Sequence, residues 1–130
     1  MRPALTNRYE VEQVEFDGYN WFFRLSNNEW LRAGCLWRVL RNGSISLTSN
    51  DHGQLFGLNQ PIDAVLLATA ALADKEMTSL AWDETTADLS LSLDGEVLLQ
   101  LVPDSSGYEA WELHIDGTGY IALGGGPVVP

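Results

Sequence analysis

Two histidines, His52 and His114, and one cysteine, Cys35, are the side chains best suited to acid–base or nucleophilic chemistry near neutral pH. An imidazole pair could run acid–base catalysis of the ribonuclease kind. That chemistry also needs a cationic clamp for the phosphate, and Lys75 is the only basic residue beyond Arg41. His114 lies between Glu112 and Asp116 on the polar face of an alternating run, where a solvated ring is ordinary. Cys35, beside Leu36 and Trp37, reads as a small apolar core residue rather than a nucleophile. A zinc site would have to combine Cys35, His52, His114 and carboxylates without any diagnostic spacing. The phosphate-loop, H-E-x-x-H, G-x-S-x-G and EF-hand patterns are all missing. The expectation is a protein with no catalytic residues, no metal and no cofactor.

The carboxylates are the more informative groups, because they are unevenly placed. The chain carries 18 acidic and 7 basic residues, a formal net charge of −11. Residues 1–50 hold 5 acidic and 6 basic side chains, a net of +1, whereas residues 51–130 hold 13 acidic groups against Lys75 alone, a net of −12. Such a distribution sets a negative field on at least one face, which repels nucleic acid and anionic membrane and favours a basic partner. Asp83, Glu84 and Asp88 crowd one turn, Asp94 and Glu96 another, and Asp104, Glu109, Glu112 and Asp116 fall in the last third. Tyr108, Trp111 and Tyr120 lie among them as candidate aromatic anchors. An acidic rim around an aromatic centre is how a protein meets a strongly basic one. Solubilising loop carboxylates are the plain alternative.

At 130 residues, with 45% hydrophobic content and 5 Trp, 4 Tyr and 4 Phe, one domain with a real core is expected over 1–130. A single cysteine excludes an internal disulfide. No basic-then-apolar leader is evident, and no run approaches about 18 apolar residues, so a cytoplasmic location is expected.

The elements that must position these groups follow from periodicity. Residues 1–16 are weakly patterned and read as a loose arm or an edge strand. Trp21, Phe23 and Leu25 alternate, Ser26-Asn27-Asn28 turns, and a second run extends from Glu29 toward Leu40 with Gly34 as a bulge or bend. Asn42-Gly43 predicts a type I′ hairpin into Ile45 and Leu47. Pro61 reads as a first helical residue and Asp63 as first-turn, with Ile62, Val65, Leu66, Thr69 and Ala73 at helical spacing, so one helix is predicted over 61–74. Thr78, Leu80 and Trp82 alternate, as do Leu89, Leu91 and Leu93, then Val97, Leu99 and Leu101 after an Asp94-Gly95 turn, then Trp111, Leu113 and Ile115. A short strand around 120–123 precedes Gly124-Gly125-Gly126, which could be mistaken for an anion nest but opens no helix and reads as a flexible tail over 124–130. With about seven or eight strands, the predicted fold is α+β. It is a single, mostly antiparallel sheet covered by one helix, with a partly closed barrel as the alternative. Phe23, Leu36 or Trp37, Ile62, Leu66, Leu91, Leu99, Trp111 and Leu113 form the predicted core.

The stretch Leu89–Gly126 resembles a widespread bacterial domain of unassigned function. The resemblance rests on the Asp94-Gly95 turn, Pro103-Asp104, the string Tyr108-Glu109-Ala110-Trp111-Glu112-Leu113 and the terminal glycines. Such proteins resemble the immunity proteins encoded beside polymorphic toxins, including those of contact-dependent inhibition systems. The resemblance implies partner binding without naming the residues that bind. The combined expectation is an immunity protein that occludes a basic toxin domain, of nuclease type, without binding nucleic acid or membrane. Asp83, Glu84, Asp88, Asp104, Tyr108, Glu109, Glu112 and Asp116 are the candidate contacts. An acidic structural or regulatory adaptor and a small-ligand-binding domain stand as alternatives.

Overall fold

The alternating runs fold as strands, and most of their turns sit where the sequence puts them. The computed structural model describes all 130 residues and comprises eleven strands and one α-helix. β1 is Val11–Phe16, β2 Trp21–Leu25, β3 Trp30–Ala33, β4 Leu36–Arg41 and β5 Ser44–Thr48. The helix α1 is Ala64–Leu72. After it come β6 Met77–Trp82, β7 Leu89–Leu93, β8 Val97–Val102, β9 Trp111–Ile115, β10 Thr118–Ala122 and β11 Val128–Val129. Every ladder is antiparallel, which makes the fold α+β and dominated by antiparallel strands.

The strands form two sheets, not the single sheet expected. One has the order β1-β2-β3-β9-β10-β11 and the other β5-β4-β8-β7-β6, and the end strands of neither pair with each other, so no barrel closes. Gly34 explains the difference. Rather than bulging one long strand, Gly34-Cys35 carries the chain from β3 in the first sheet to β4 in the second, and the Gly34 amide donates to the Ala110 carbonyl (2.8 Å). Residues 103–110 make the return crossing from β8 to β9. The inner faces meet in one core, with Trp37 of β4 edge-on to Trp21 and Phe23 of β2. Phe23, Trp37, Leu91, Leu99, Trp111 and Leu113 are fully buried as predicted.

The helix departs from expectation at its start and in its face. Asp63 is the N-cap, its Oδ1 accepting from the Leu66 amide (3.1 Å), and Pro61 stays outside the helix. Ala64, Ala68 and Leu72 form the buried stripe, whereas Leu66 is 66% exposed and Leu67 also faces out. A helix of nine residues flanking two sheets buries one narrow stripe, so its other leucines stay in water. α1 lies against β1 and, to a lesser extent, β5, covering a flank rather than a sheet face. Its Thr69 hydroxyl accepts from the Val14 amide (3.2 Å), which satisfies part of the free edge of β1. No helix is long and apolar enough to cross a membrane.

Both chain ends are tied down: of the two readings of residues 1–16 the edge strand holds over Val11–Phe16 and the loose arm does not, and residues 124–130 are not a flexible tail. Tyr9 is fully buried and β1 is the edge strand of its sheet. The Trp82 amide donates to the Met1 carbonyl (2.9 Å) and the Met77 amide to the Tyr9 carbonyl (2.8 Å), so residues 1–9 run along the outer edge of β6. At the other end β11 pairs with β10. Gly126 lies so close to the 83–88 turn that a Cβ there would fall 2.0 Å from the Thr85 carbonyl oxygen, and Gly124 packs against Gly107. These glycines permit backbone-to-backbone approach; they are not a flexible terminus.

Candidate functional site

The two sheet crossings, Gly34-Cys35 and residues 103–110, lie at the same end of the sandwich. The register brings three further connections there. Trp21, Ala33, Trp111 and Ala122 are neighbours across the first sheet, and Leu36, Val102 and Leu101, Leu89 and Trp82 across the second. The loops 17–20, 83–88 and 123–127 therefore emerge beside the crossings. Together these five loops carry Asp17, Asp83, Glu84, Asp88, Asp104 and Glu109 and no Lys, Arg or His. Six of the eight predicted contacts, Asp83, Glu84, Asp88, Asp104, Tyr108 and Glu109, thus converge on one end.

Local hydrogen bonding holds the loops in shape. Asp83 Oδ1 accepts from the Thr85 and Thr86 amides (2.7 and 2.9 Å), and these bonds hold its carboxyl below the usual carboxylate range. The Trp111 indole N–H donates to the Ala87 carbonyl (2.8 Å), pinning this loop to the core. Asp17 Oδ1 caps the other side in the same way, accepting from Asn20 and Tyr19 amides (2.7 and 2.8 Å), and its carboxyl is likewise lowered. Ser105 Oγ accepts from the Gly107 and Tyr108 amides (3.1 and 3.0 Å). The carboxylates of Glu84, Asp88 and Asp104 make no ion pair or hydrogen bond within the protein.

Glu112 lies on the outer face of the first sheet, joined to the acidic end through Arg32. Arg32, with a side chain only 18% exposed, donates from Nη1 to Asn20 Oδ1 (3.1 Å). Its Nη2 faces Glu109 Oε2 at 3.5 Å and Glu112 Oε1 at 4.0 Å. Glu112 Oε2 in turn meets His114 Nε2 at 2.9 Å, and the His114 ring stacks on Trp30 at 4.1 Å. His114 is therefore engaged on both sides, not simply solvated.

Asp116 is not part of this assembly. It sits in the β9–β10 turn, at the far end of β9, and its carboxylate accepts from Tyr9 Oη (2.6 Å), the Thr6 amide (2.7 Å) and Asn7 Nδ2 (3.2 Å). These bonds, the Tyr9 phenol foremost, hold its carboxyl below the usual range. Asp116 anchors residues 6–9 to the sheet.

The residues with reactive chemistry are kept apart. His52 packs edge-on against Phe16 and Trp21 and accepts the Ala64 amide at Nδ1 (3.0 Å), on the inward side of the first sheet. His114 lies on its outer face, so the two imidazoles form no pair. Burial, with the nearby Asp104 carboxylate adding to it, pushes the Cys35 thiol up to about 12, which leaves it neutral at physiological pH. No group of three or more His, Cys, Asp or Glu side chains is placed to hold a metal ion.

Two features escaped the sequence reading, one at this end and one in the loop that precedes α1. Tyr19, on the Asp17 turn, is 89% exposed and faces the equally bare Tyr108, at 83%, across an open groove. The Asp17-Gly18 pair was a turn signal that could have marked Tyr19. The loop 53–60 places Leu55, Phe56 and Leu58 in solvent, and Phe56 adopts φ 47°. Comparison with protein-family models, curated proteins and solved structures yields no match for this chain.

Proposed function

We propose that this chain is an immunity-type protein that binds a basic toxin domain, of nuclease type, and blocks it by covering its active site. The observation that carries the reading is the six carboxylates on the five loops of one end of the sandwich, loops that hold no Lys, Arg or His, with only Arg32 beside Glu109 and the Met1 ammonium on the Trp82 carbonyl as cations close by. Glu84, Asp88 and Asp104 are unpaired, so their charge is available to a partner. Carboxylates so arranged take the place of substrate phosphates against the toxin's Lys and Arg, while Tyr19 and Tyr108 supply buried contact area. The resemblance of Leu89–Gly126 to a bacterial domain of unassigned function, whose small proteins in turn resemble immunity proteins, points the same way. Glu112 contributes at the margin of this surface, and Asp116 acts in the fold instead of the contact. Steering by the acidic end raises the encounter rate, which suits a protein that must reach toxin before the toxin reaches nucleic acid. In this reading the protein is not an enzyme, acts in the cytoplasm, and needs neither cofactor, metal, nucleic acid nor membrane.

The test is co-expression with the basic protein encoded next to it, followed by surface plasmon resonance on the purified pair. The reading expects a 1:1 complex tighter than about 1 μM, protection of cells from the neighbour's toxicity, and an association rate that falls steeply with salt. Lack of protection, or affinity weaker than that limit, refutes it. Binding that is insensitive to salt would leave the function standing and remove its electrostatic mechanism.

A further inference from the structure

The groove between Tyr19 and Tyr108 has a volume of about 620 Å³ and is also lined by Asn20, Gly34, Gly107 and Glu109. Its walls come from two loops far apart in sequence, and each is braced by a side chain below it. Asp17 Oδ1 holds the Tyr19 amide and Ser105 Oγ the Tyr108 amide, so both phenol rings project from fixed backbone. Large aromatic side chains this exposed leave their faces to solvent without any contact that repays it. The floor is backbone. A Cβ at Gly34 would crowd Asn20 Oδ1 at 3.2 Å and Arg32 Nη1 at 3.4 Å, so glycine keeps the groove open there.

The charge around the groove is negative. Arg32 is committed beneath it to Asn20, Glu109 and Glu112, and Asp17 adds a third carboxylate beside Tyr19. Glu109 lies on the groove wall and reaches Arg32 only at 3.5 Å, leaving acceptor capacity for a ligand. Aromatic faces attract cations through the ring quadrupole, and guanidinium, being planar and weakly hydrated, stacks on them better than ammonium does. We infer that this groove receives an arginine side chain of the protein partner, with the guanidinium against Tyr19 and Tyr108 and its charge facing Glu109. The inference rests on the reading of a basic partner and names the contact by which that partner is recognised.

A hexa-arginine peptide tests the groove independently of any toxin. Titrated into ¹⁵N-labelled protein at low salt, it should move the amides of residues 18–20, 34 and 107–109 most. The combined variant Tyr19→Ala/Tyr108→Ala should bind about tenfold more weakly, and Glu109→Gln should also weaken binding. Glu96→Gln, at the opposite end, should bind as the parent does. Both tyrosines are exposed, so thermal unfolding should confirm that the variants remain folded. Shifts spread equally over Asp94–Glu96 and the groove, or a double variant within about twofold of the parent, overturn the inference. That result leaves the toxin-binding reading intact. Conversely, a groove that binds the peptide in a protein that protects against no toxin refutes the function while the site remains.

Discussion

Trp111 couples the core to the acidic end, and replacing it should reveal both roles. Its side chain is fully buried, its ring lies 5.8 Å from that of Trp82, and its indole N–H is bonded to the Ala87 carbonyl at 2.8 Å. Ala87 is itself fully buried, at the base of the loop that carries Asp83, Glu84 and Asp88. Trp111→Ala loses the transfer energy of the ring and opens a cavity, about 3–5 kcal/mol. It also strands a buried carbonyl, at roughly 1–3 kcal/mol. The combined loss rivals the whole stability of an ordinary domain, about 5–15 kcal/mol, so this variant should be largely unfolded at 37 °C. Trp111→Phe is the sharper perturbation, because it keeps most of the ring and removes the N–H. It should cost about 2–4 kcal/mol in urea unfolding followed by circular dichroism. It should also speed hydrogen exchange at the Asp83 and Ala87 amides, which close the loop through the Asp88 and Asp83 carbonyls. A loss below about 0.5 kcal/mol, with exchange at those amides unchanged, would show that the indole does not anchor the loop.

Three further outcomes are expected. Asp116 has a lowered carboxyl pKa in the folded protein, so its contribution is present above the ordinary carboxylate value near pH ~3.9 and is lost as pH falls through the folded value; Asp116→Asn should remove that part of the acid limb in unfolding curves from pH 2.5 to 7, and Tyr9→Phe should cost about 1–3 kcal/mol at neutral pH. Gly126→Ala, with its Cβ 2.0 Å from the Thr85 oxygen and φ +123°, should destabilise by more than about 2 kcal/mol, against about 1 kcal/mol for Gly57→Ala in open space at φ +77°; equal losses would mean that the close approach does not matter. The Cys35 thiol, raised to about 12, should resist iodoacetamide at pH 8 in the folded protein and react only on unfolding.

What the sequence determined by itself was local. Leu89, Leu91 and Leu93 alternate because one face is buried, and Asn42-Gly43 turns because both residues take positive φ, 51° and 82°. The same locality explains the weakly read β1. It contains a register shift, so Val11 and Val14 face inward at a spacing of three and the period of two disappears from that stretch, whereas in β6 the shift lies before Ser79 and leaves the alternation of Leu80 and Trp82 intact. The acidic residues were legible as charge, but not as a surface. Only the tertiary structure decided that Gly34 turns the chain into a second sheet, that Asp116 is spent on Tyr9 while Asp104 stays free, and that Tyr19 stands across a groove from Tyr108. Each of these depends on which distant segments become neighbours. That is set by how two sheets bury a common core, an energy summed over the whole chain rather than written in any one stretch of it.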